Sequence, residues 1–304
     1  MASEHRGVTI SVVIPAYNAG SLIGETLDSV LAQSRPAHEI IVVDDGSTDD
    51  TAEVVRRYGD AVRYLRQENQ GLSSARNAGI HAATGDWIAL LDSDDVFLPE
   101  RLRRAADAIE ANPRLVVVYS AFDFLYYDGT RSFFPAFPAR ELWPALRYRS
   151  PILPSTTAIQ RSALLEVGGF RKVVIEDWDL WFRLVRRHSA AVFQELPESL
   201  LLYRRWEGNA TNNHIRYANG MLDLVKETLL EDLSGLERVI WRRKIEARIH
   251  HELAVELRKS DDPGHLTHAI HSLRRWPLWG KVVPARRYKV FAHMLYRQAR
   301  RGKG

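Results

Sequence analysis

The sequence predicts an α/β fold built on a parallel sheet covered by helices on both faces. Short β-branched runs alternate with helix-length amphipathic segments through the first part of the chain. That is the pattern of strands buried on both faces and joined by helical crossovers. The segments just after these runs are unusually rich in Asp, Asn and Gly. In this architecture the ligand crevice lies outside the C-terminal ends of the strands, so these segments are expected to carry the chemistry.

The elements follow in order. Ile10-Ser11-Val12-Val13-Ile14 reads as a strand and leads to a helix around Leu22 to Leu31. Glu39 to Val43 leads to a helix from about Thr51 to Tyr58, and Ala61 to Leu65 to one from Ser73 to Ala83. Trp87 to Leu91 precedes a helix from Pro99 to about Ala111, with Pro99 at the first position, where a missing N–H costs nothing. Leu115 to Tyr119 is the next strand. From Phe122 to Tyr148 the pattern turns irregular and aromatic, with Phe134 to Pro138 a loop. Glu176 to Trp181 opens a helical run to about Arg187. After Leu200 to Arg204 the chain reads as helix, turn, helix, with Leu222, Val225 and Leu229, then Ile245, Ile249, Leu253 and Leu257, at helical spacing.

With 304 residues, 45% hydrophobic and 26% charged, the chain can bury a sizeable core, and disorder is excluded for most of it. It has no cysteine, which rules out disulfides and thiolate metal sites. The first residues lack the basic-then-apolar pattern of a signal peptide, and no apolar stretch approaches the length of a membrane span. The expected location is therefore the cytoplasm. The net charge of +4 is unevenly placed, because His271 to Gly304 contains no Asp or Glu and many Arg and Lys.

Asp92-Ser93-Asp94-Asp95, at the end of the apolar run Trp87 to Leu91, is the most informative motif. Two carboxylates about 5 Å apart repel by roughly 3 kcal/mol at an effective dielectric near 20. Hard oxygen ligands of this kind suit Mg²⁺ or Mn²⁺. The alternative is a polar turn capping the helix that follows. Neither GxxxxGK[ST] nor GxGxxG occurs, so neither fingerprint supplies phosphate binding.

Taken together, the motifs resemble those of the family-2 glycosyltransferases of the GT-A fold. The matching segments are Val12 to Asn18, Val43 to Asp49, Asn69 to Asn77, Gly85-Asp86 leading to Asp92 to Asp95, Gly168-Gly169-Phe170 and Glu176-Asp177. The resemblance covers roughly residues 8–210. It implies a Rossmann-like, mixed, mostly parallel sheet in a domain over 1–210. The nucleotide-binding half would be about 1–105 and the acceptor half about 106–210, followed by a helical, basic region over 211–304.

Carried onto this sequence, the resemblance implies that Pro15, Ala16 and Tyr17 line the nucleotide pocket and that Asp44 accepts a hydrogen bond from the base. An acceptor there fits the N3–H of uracil or thymine and disfavours cytosine, so a UDP- or TDP-sugar is the expected donor. Asp44 to Asp49 equally suits a turn and N-cap for the helix at Thr51. Arg76 would lie near the base and diphosphate, or else form a helix-surface ion pair. Asp94 would bind the metal and Asp92 the ribose or the metal shell. Asp177 would be the general base and Glu176 an acceptor contact, or the pair would cap its helix. A helix N-terminus lowers a carboxylate's pKa, so a base there needs burial against Trp178 and Trp181 to raise it again. Members of the family often carry a His after a Tyr-Arg pair. Here Trp206 follows Tyr203-Arg204-Arg205, and Arg204 or Arg205 would clamp the diphosphate or remain a surface charge.

The expected activity is metal-dependent, inverting transfer of a sugar from a nucleoside diphosphate to a hydroxyl of a glycan or lipid-linked acceptor, in cell-surface polysaccharide synthesis. The rivals are an inactive sugar-nucleotide binding protein and a receiver-like signalling module, the latter far shorter than this chain. Arg286, Lys289, His293, Arg297 and Arg300 line one helical face and Tyr288, Phe291 and Leu295 the opposite one. This is the layout of a helix that lies on an anionic membrane or packs on protein. Nucleic-acid binding is not expected.

Overall fold

The computed structural model describes residues 7–205, 220–224, 228–231, 233–259 and 264–278. The chain divides into two compact units. One comprises Met1–Leu146, Ser150–Lys172 and Glu176–Glu207, the other Arg147–Arg149, Val173–Ile175 and Gly208–Gly304.

The first unit contains β1 (Ile10–Ala16), α1 (Ile23–Leu31), β2 (Glu39–Asp44), α2 (Thr51–Arg56), β3 (Arg63–Arg66), α3 (Leu72–Ala82) and β4 (Trp87–Leu90). After these come β5 (Val96–Phe97), α4 (Arg101–Ala111), β6 (Val117–Leu125), β7 (Arg131–Phe134), α5 (Leu142–Ala145), β8 (Thr157–Gln160), α6 (Arg161–Glu166), α7 (Glu176–His188) and β9 (Phe193–Arg204). The described strands form one nine-stranded sheet in the order β3-β2-β1-β4-β8-β6-β9-β5, with β7 added to β6.

β1 to β4 are mutually parallel where they pair. The chain runs outward from β1 to β3, then returns to β4 on the other side of β1, so the two strand ends flank a topological switch point, the usual place for a ligand crevice. Beyond β4 the direction changes. β8 is antiparallel to both β4 and β6, whereas β6 and β9 are parallel. The sheet is thus mixed and mostly parallel, as the family resemblance implies, where the strand pattern alone pointed only to a parallel one. Continuous apolar runs report burial on both faces and leave strand direction open.

The region expected to be irregular from Phe122 contains the end of β6 and the β6–β7 hairpin, in which Phe122 faces Phe134 and Leu125 faces Arg131. Its aromatic content reflects pairing across the two strands. The core is the apolar layer of Val12, Ile14, Ile23, Leu27, Val42 and Leu102, all essentially inaccessible to solvent. Each such side chain contributes about 1.5–3 kcal/mol by leaving water. α3 lies close against β1 because Gly79 has no side chain: a Cβ there would sit 2.3 Å from Val13 Cγ1.

In the second unit, α8 (Gly235–Lys259) and α9 (Gly264–Arg275) pack together. Ile245, Ile249, Leu253 and Leu257 are buried, as their spacing predicts. Ser272 Oγ donates to Ala247 O across the pair at 2.6 Å. Among the described residues no helix is long and apolar enough to cross a membrane. The basic face from Arg286 to Arg300 lies outside the described residues.

Candidate active site

The ends of β1 and β2 are held in register, with Ala16 opposite Asp44. Pro15 and Ala16 are the buried last residues of β1, and Tyr17 beyond them is 52% exposed. Asn18 adopts φ 49°, in the left-handed region that Asn tolerates better than most residues. Its N–H donates to Ser47 Oγ at 3.0 Å and its Oδ1 accepts from Thr48 N at 2.9 Å, lacing the two loops together.

Asp44 is fully buried. Its Oδ1 accepts from Ser47 N at 2.7 Å, its Oδ2 from the Tyr64 hydroxyl, and Arg66 Nη1 stands 3.5 Å from Oδ2. Burial pushes the carboxyl up, but these donors and the nearby guanidinium outweigh it and hold Asp44 below the usual carboxylate range. Asp45 accepts from Gln67 Nε2 at 2.6 Å, Gln70 N at 2.9 Å and Gly71 N at 2.7 Å. It thereby fixes the entry to α3, a task that the sequence motif does not separate from that of Asp44.

The turn after β4 gathers Asp92, Asp94 and Asp95. Asp95 is buried, with Oδ1 accepting from Arg204 N at 3.2 Å and Oδ2 lacking a hydrogen-bond partner among the described residues. Burial first, then the charges of Asp94 and Asp92, push its carboxyl well above the ordinary value. Arg204 Nε donates to the backbone carbonyl of Asp94 at 3.0 Å and its Nη2 pairs with Glu25 at 2.6 Å. Arg204 thus braces the acidic turn, and a role on a diphosphate would require it to exchange Glu25. Trp206 lies outside the described residues.

Arg76 on α3 joins this turn to α7. Its Nη2 pairs with Asp92 Oδ1 at 2.7 Å and its Nη1 with Glu176 Oε1 at 2.8 Å. The guanidinium also lies 5.0 Å from the centre of the Phe170 ring. Burial disfavours its charge, but Asp92 and Glu176 outweigh this and strengthen its protonation. The surface ion pair weighed from the sequence is corrected: Arg76 is 1% exposed and bridges two acids.

The neighbouring Asn77 explains the Gly-Gly-Phe segment. Asn77 Oδ1 accepts from Phe170 N and its Nδ2 donates to Phe170 O, each at 2.8 Å. Gly169 has φ 63°, and a Cβ there would meet Asn77 Oδ1 at 2.4 Å, so only glycine fits. Arg183 secures the other side of this loop, donating to Val167 O at 2.6 Å and Gly169 O at 2.7 Å while pairing with buried Asp179 at 2.7 Å. The spacing of Asp179 and Arg183, four apart on a helix, was readable in the sequence as an ion pair, but its loop contacts were not.

Asp177 stands in the first turn of α7 and accepts from Ser150 Oγ at 3.1 Å. Trp178 and Trp181 beside it are fully buried and tied to Leu146 O and Ile152 O at 2.6 and 3.0 Å. Burial, then the charge of Glu176, push Asp177 up to about 7 against the opposing Trp178 N–H, Arg76 and Ser150. Between the helix N-terminus, which lowers a carboxylate, and burial, which raises it, burial prevails.

The structure therefore joins Asp92, Arg76 and Glu176 directly, with Asp177 next in sequence, while Asp44 occupies the end of β2. Among the described residues no group of three or more acids or imidazoles is placed to hold a metal. Mg²⁺ commonly takes one or two carboxylates and completes its shell with substrate phosphates and water. The hard-oxygen turn, the raised carboxyl of Asp95 and its orphaned oxygen fit a cation of that kind.

Residues 11–169 match the model of glycosyl transferase family 2. An uncharacterized glycosyltransferase of Rickettsia felis is 27% identical over 243 residues, 76% of this chain and 39% of that protein, so the chain spans about two-fifths of that relative's length. Among solved structures, S. aureus TarS 1-349 in complex with UDP-GlcNAc aligns at a TM-score of 0.65 and 19% identity, over 93% of this chain and 84% of that one. The mannosyltransferase PcManGT from Pyrobaculum calidifontis, in complex with GDP-Man and Mn²⁺, aligns at 0.61 and 20% identity, over 88% and 74%. At such identities the structures testify to the fold alone, whereas the family match extends over more than half of the sequence. The chain belongs to glycosyl transferase family 2 and has the GT-A fold.

Proposed function

We propose that this protein transfers a sugar, with inversion, from a UDP- or TDP-linked donor to a hydroxyl of a glycan or glycolipid acceptor, in cell-surface polysaccharide synthesis. The observation that carries the reading is the Arg76 bridge, which ties the acidic turn at Asp92 to Glu176 and so to the raised carboxyl of Asp177. In this reading Pro15, Ala16 and Tyr17 flank the base, and Asp44 accepts its N3–H in exchange for one of its present donors, Ser47 N or the Tyr64 hydroxyl. A bound Mg²⁺ or Mn²⁺, held by Asp94 and Asp92, supplies Lewis-acid neutralisation of the diphosphate.

The acceptor hydroxyl attacks the anomeric carbon from the face opposite the diphosphate. Its proton passes to Asp177, whose value near 7 suits a base working at neutral pH. As the new C–O bond forms, the bond to the diphosphate oxygen breaks and the nucleoside diphosphate leaves with the electron pair. Glu176, held by Arg76, orients the acceptor or the bridge itself.

The test is hydrolysis of a panel of UDP-, TDP-, GDP- and CDP-sugars by the purified chain with Mn²⁺ or with chelator, alongside the folded Asp94→Asn variant. Mn²⁺-dependent turnover of a UDP- or TDP-sugar that Asp94→Asn abolishes is the expected result. Near-normal turnover by that variant removes Asp94 from the metal site, and donor binding without any turnover leaves a binding protein.

A further inference from the structure

A cavity of about 470 Å³ lies between the β6–β7 turn and the start of α1, walled by Leu22, Leu125, Tyr126, Tyr127, Arg204 and Arg205 among others. That volume is within the range of small-ligand sites. None of Pro15, Ala16, Tyr17 or Asp44 lines it, and among the described residues no Asp or Glu does either. Arg204 is the wall it shares with the acidic turn, through the 3.0 Å bond to Asp94 O.

Aromatic contacts and hydrogen bonds lie behind and along the wall. Phe122 and Phe134 stack at 5.0 Å, and Phe124 meets Tyr203 edge-on at 5.7 Å. Tyr126 OH is 3.0 Å from Ser132 Oγ across the hairpin. Arg205 donates its N–H to Leu125 O at 2.9 Å, and its guanidinium lies 5.6 Å from the Phe124 ring centre. The nearby, exposed Asp128 accepts at Oδ1 from Thr130 N at 2.9 Å and Thr130 Oγ1 at 2.6 Å. Tyr127 is nonetheless 74% exposed, a large aromatic face held at the rim.

We infer that this cavity is a subsite for a saccharide ring bearing a carboxylate or phosphate, belonging to the acceptor. A pyranose offers a C–H face that packs on a tyrosine ring and a rim of hydroxyls that accept from donors, and here aromatic faces and the Arg205 guanidinium share one wall. Arg204 is taken up by Glu25 and Asp94 O, so the charge that matches a negative substituent is that of Arg205, and Arg presents the planar fork that suits carboxylate and phosphate. The placement beside the acidic turn is what makes it an acceptor subsite, and that part rests on the transferase reading above.

The test uses the full chain and ligand-observed NMR titration with a glucuronate-containing tetrasaccharide, an uncharged tetrasaccharide and inorganic phosphate at equal ionic strength. The glucuronate probe is expected to bind about fivefold or more tightly than the other two. Tyr127→Ala and Arg205→Gln should each weaken it about five- to tenfold, with unchanged melting temperatures. Equal binding of charged and uncharged probes, phosphate binding as well as the tetrasaccharide, or full binding by both folded variants overturns the assignment. Donor hydrolysis separates the two readings, and Tyr127→Ala should retain it. Turnover without saccharide binding defeats the subsite alone, whereas saccharide binding without turnover ends the transferase reading and leaves a saccharide site.

Discussion

Asp44 at the end of β2 is fully buried and Asp177 at the start of α7 half-buried, and desolvation pushes both carboxyls up, yet they end on opposite sides of the ordinary value. Asp44 receives Ser47, Tyr64 and the field of Arg66 and is held below it. Asp177 has Glu176 as an adjacent acid and reaches about 7. Burial is common to the two regions, so the number of donors aimed at the carboxylate, set against the charge of its neighbours, decides the outcome. The first environment keeps an acceptor permanently charged; the second keeps a carboxylate ready to take a proton.

Severing the link that surrounds Asp177 should have the largest effect. Arg76→Met leaves Asp92 and Glu176 without their shared partner, and breaking a buried pair in this way costs about 3–5 kcal/mol, read by denaturant unfolding. A loss below about 1 kcal/mol would show that the bridge behaves as a surface pair.

Asp177→Asn should lower turnover by about 10² or more with donor affinity almost unchanged. The stability of the same variant sharpens the contrast. A carboxyl whose folded pKa is raised favours the native state while protonated, and this contribution is lost as pH rises from the unfolded value near 4 towards about 7. Relative to Asp177→Asn, the natural protein should therefore lose stability over that window and run parallel above it. A constant difference from pH 4 to 8 would contradict the raised value.

Asn77→Ala removes two hydrogen bonds to the Phe170 backbone. It should cost about 2 kcal/mol and reduce turnover through the loosened Phe170 and Arg76. Full activity would disconnect the Gly-Gly-Phe loop from the site.

The smallest effect is expected from Tyr64→Phe, which takes one donor from Asp44 and should cost about 1.5 kcal/mol near pH 7. For a depressed carboxylate the stabilisation is present above the unfolded value near 4 and disappears as pH falls through the lower folded one. The difference between Tyr64→Phe and the natural protein should shrink in acid. If it grows, Asp44 is not the charged partner.

Much of the fold was legible because its causes are local. α1, α3 and α7 fall within a few residues of their periodic segments, α8 contains its own but starts ten residues before it, and β1, β2 and β4 coincide with apolar runs. The Asp- and Asn-containing motifs after β1, β2 and β4 suit the turns in which those strands stop. Less legible was the half beyond β4, where Phe122 to Phe134 forms strands whose aromatic pairs lie across a hairpin.

The sequence by itself determined most strands and helices up to α4, where the carboxylates cluster and the family to which their order belongs, since periodicity and turn chemistry act between residues a few positions apart. Tertiary structure decided the antiparallel insertion of β8 between β4 and β6, the burial of Arg76 between acids 16 and 100 residues away, and the opposite protonation tendencies of Asp44 and Asp177. Strand direction and carboxyl pKa depend on what lies across space, and neither leaves a periodic trace along the chain.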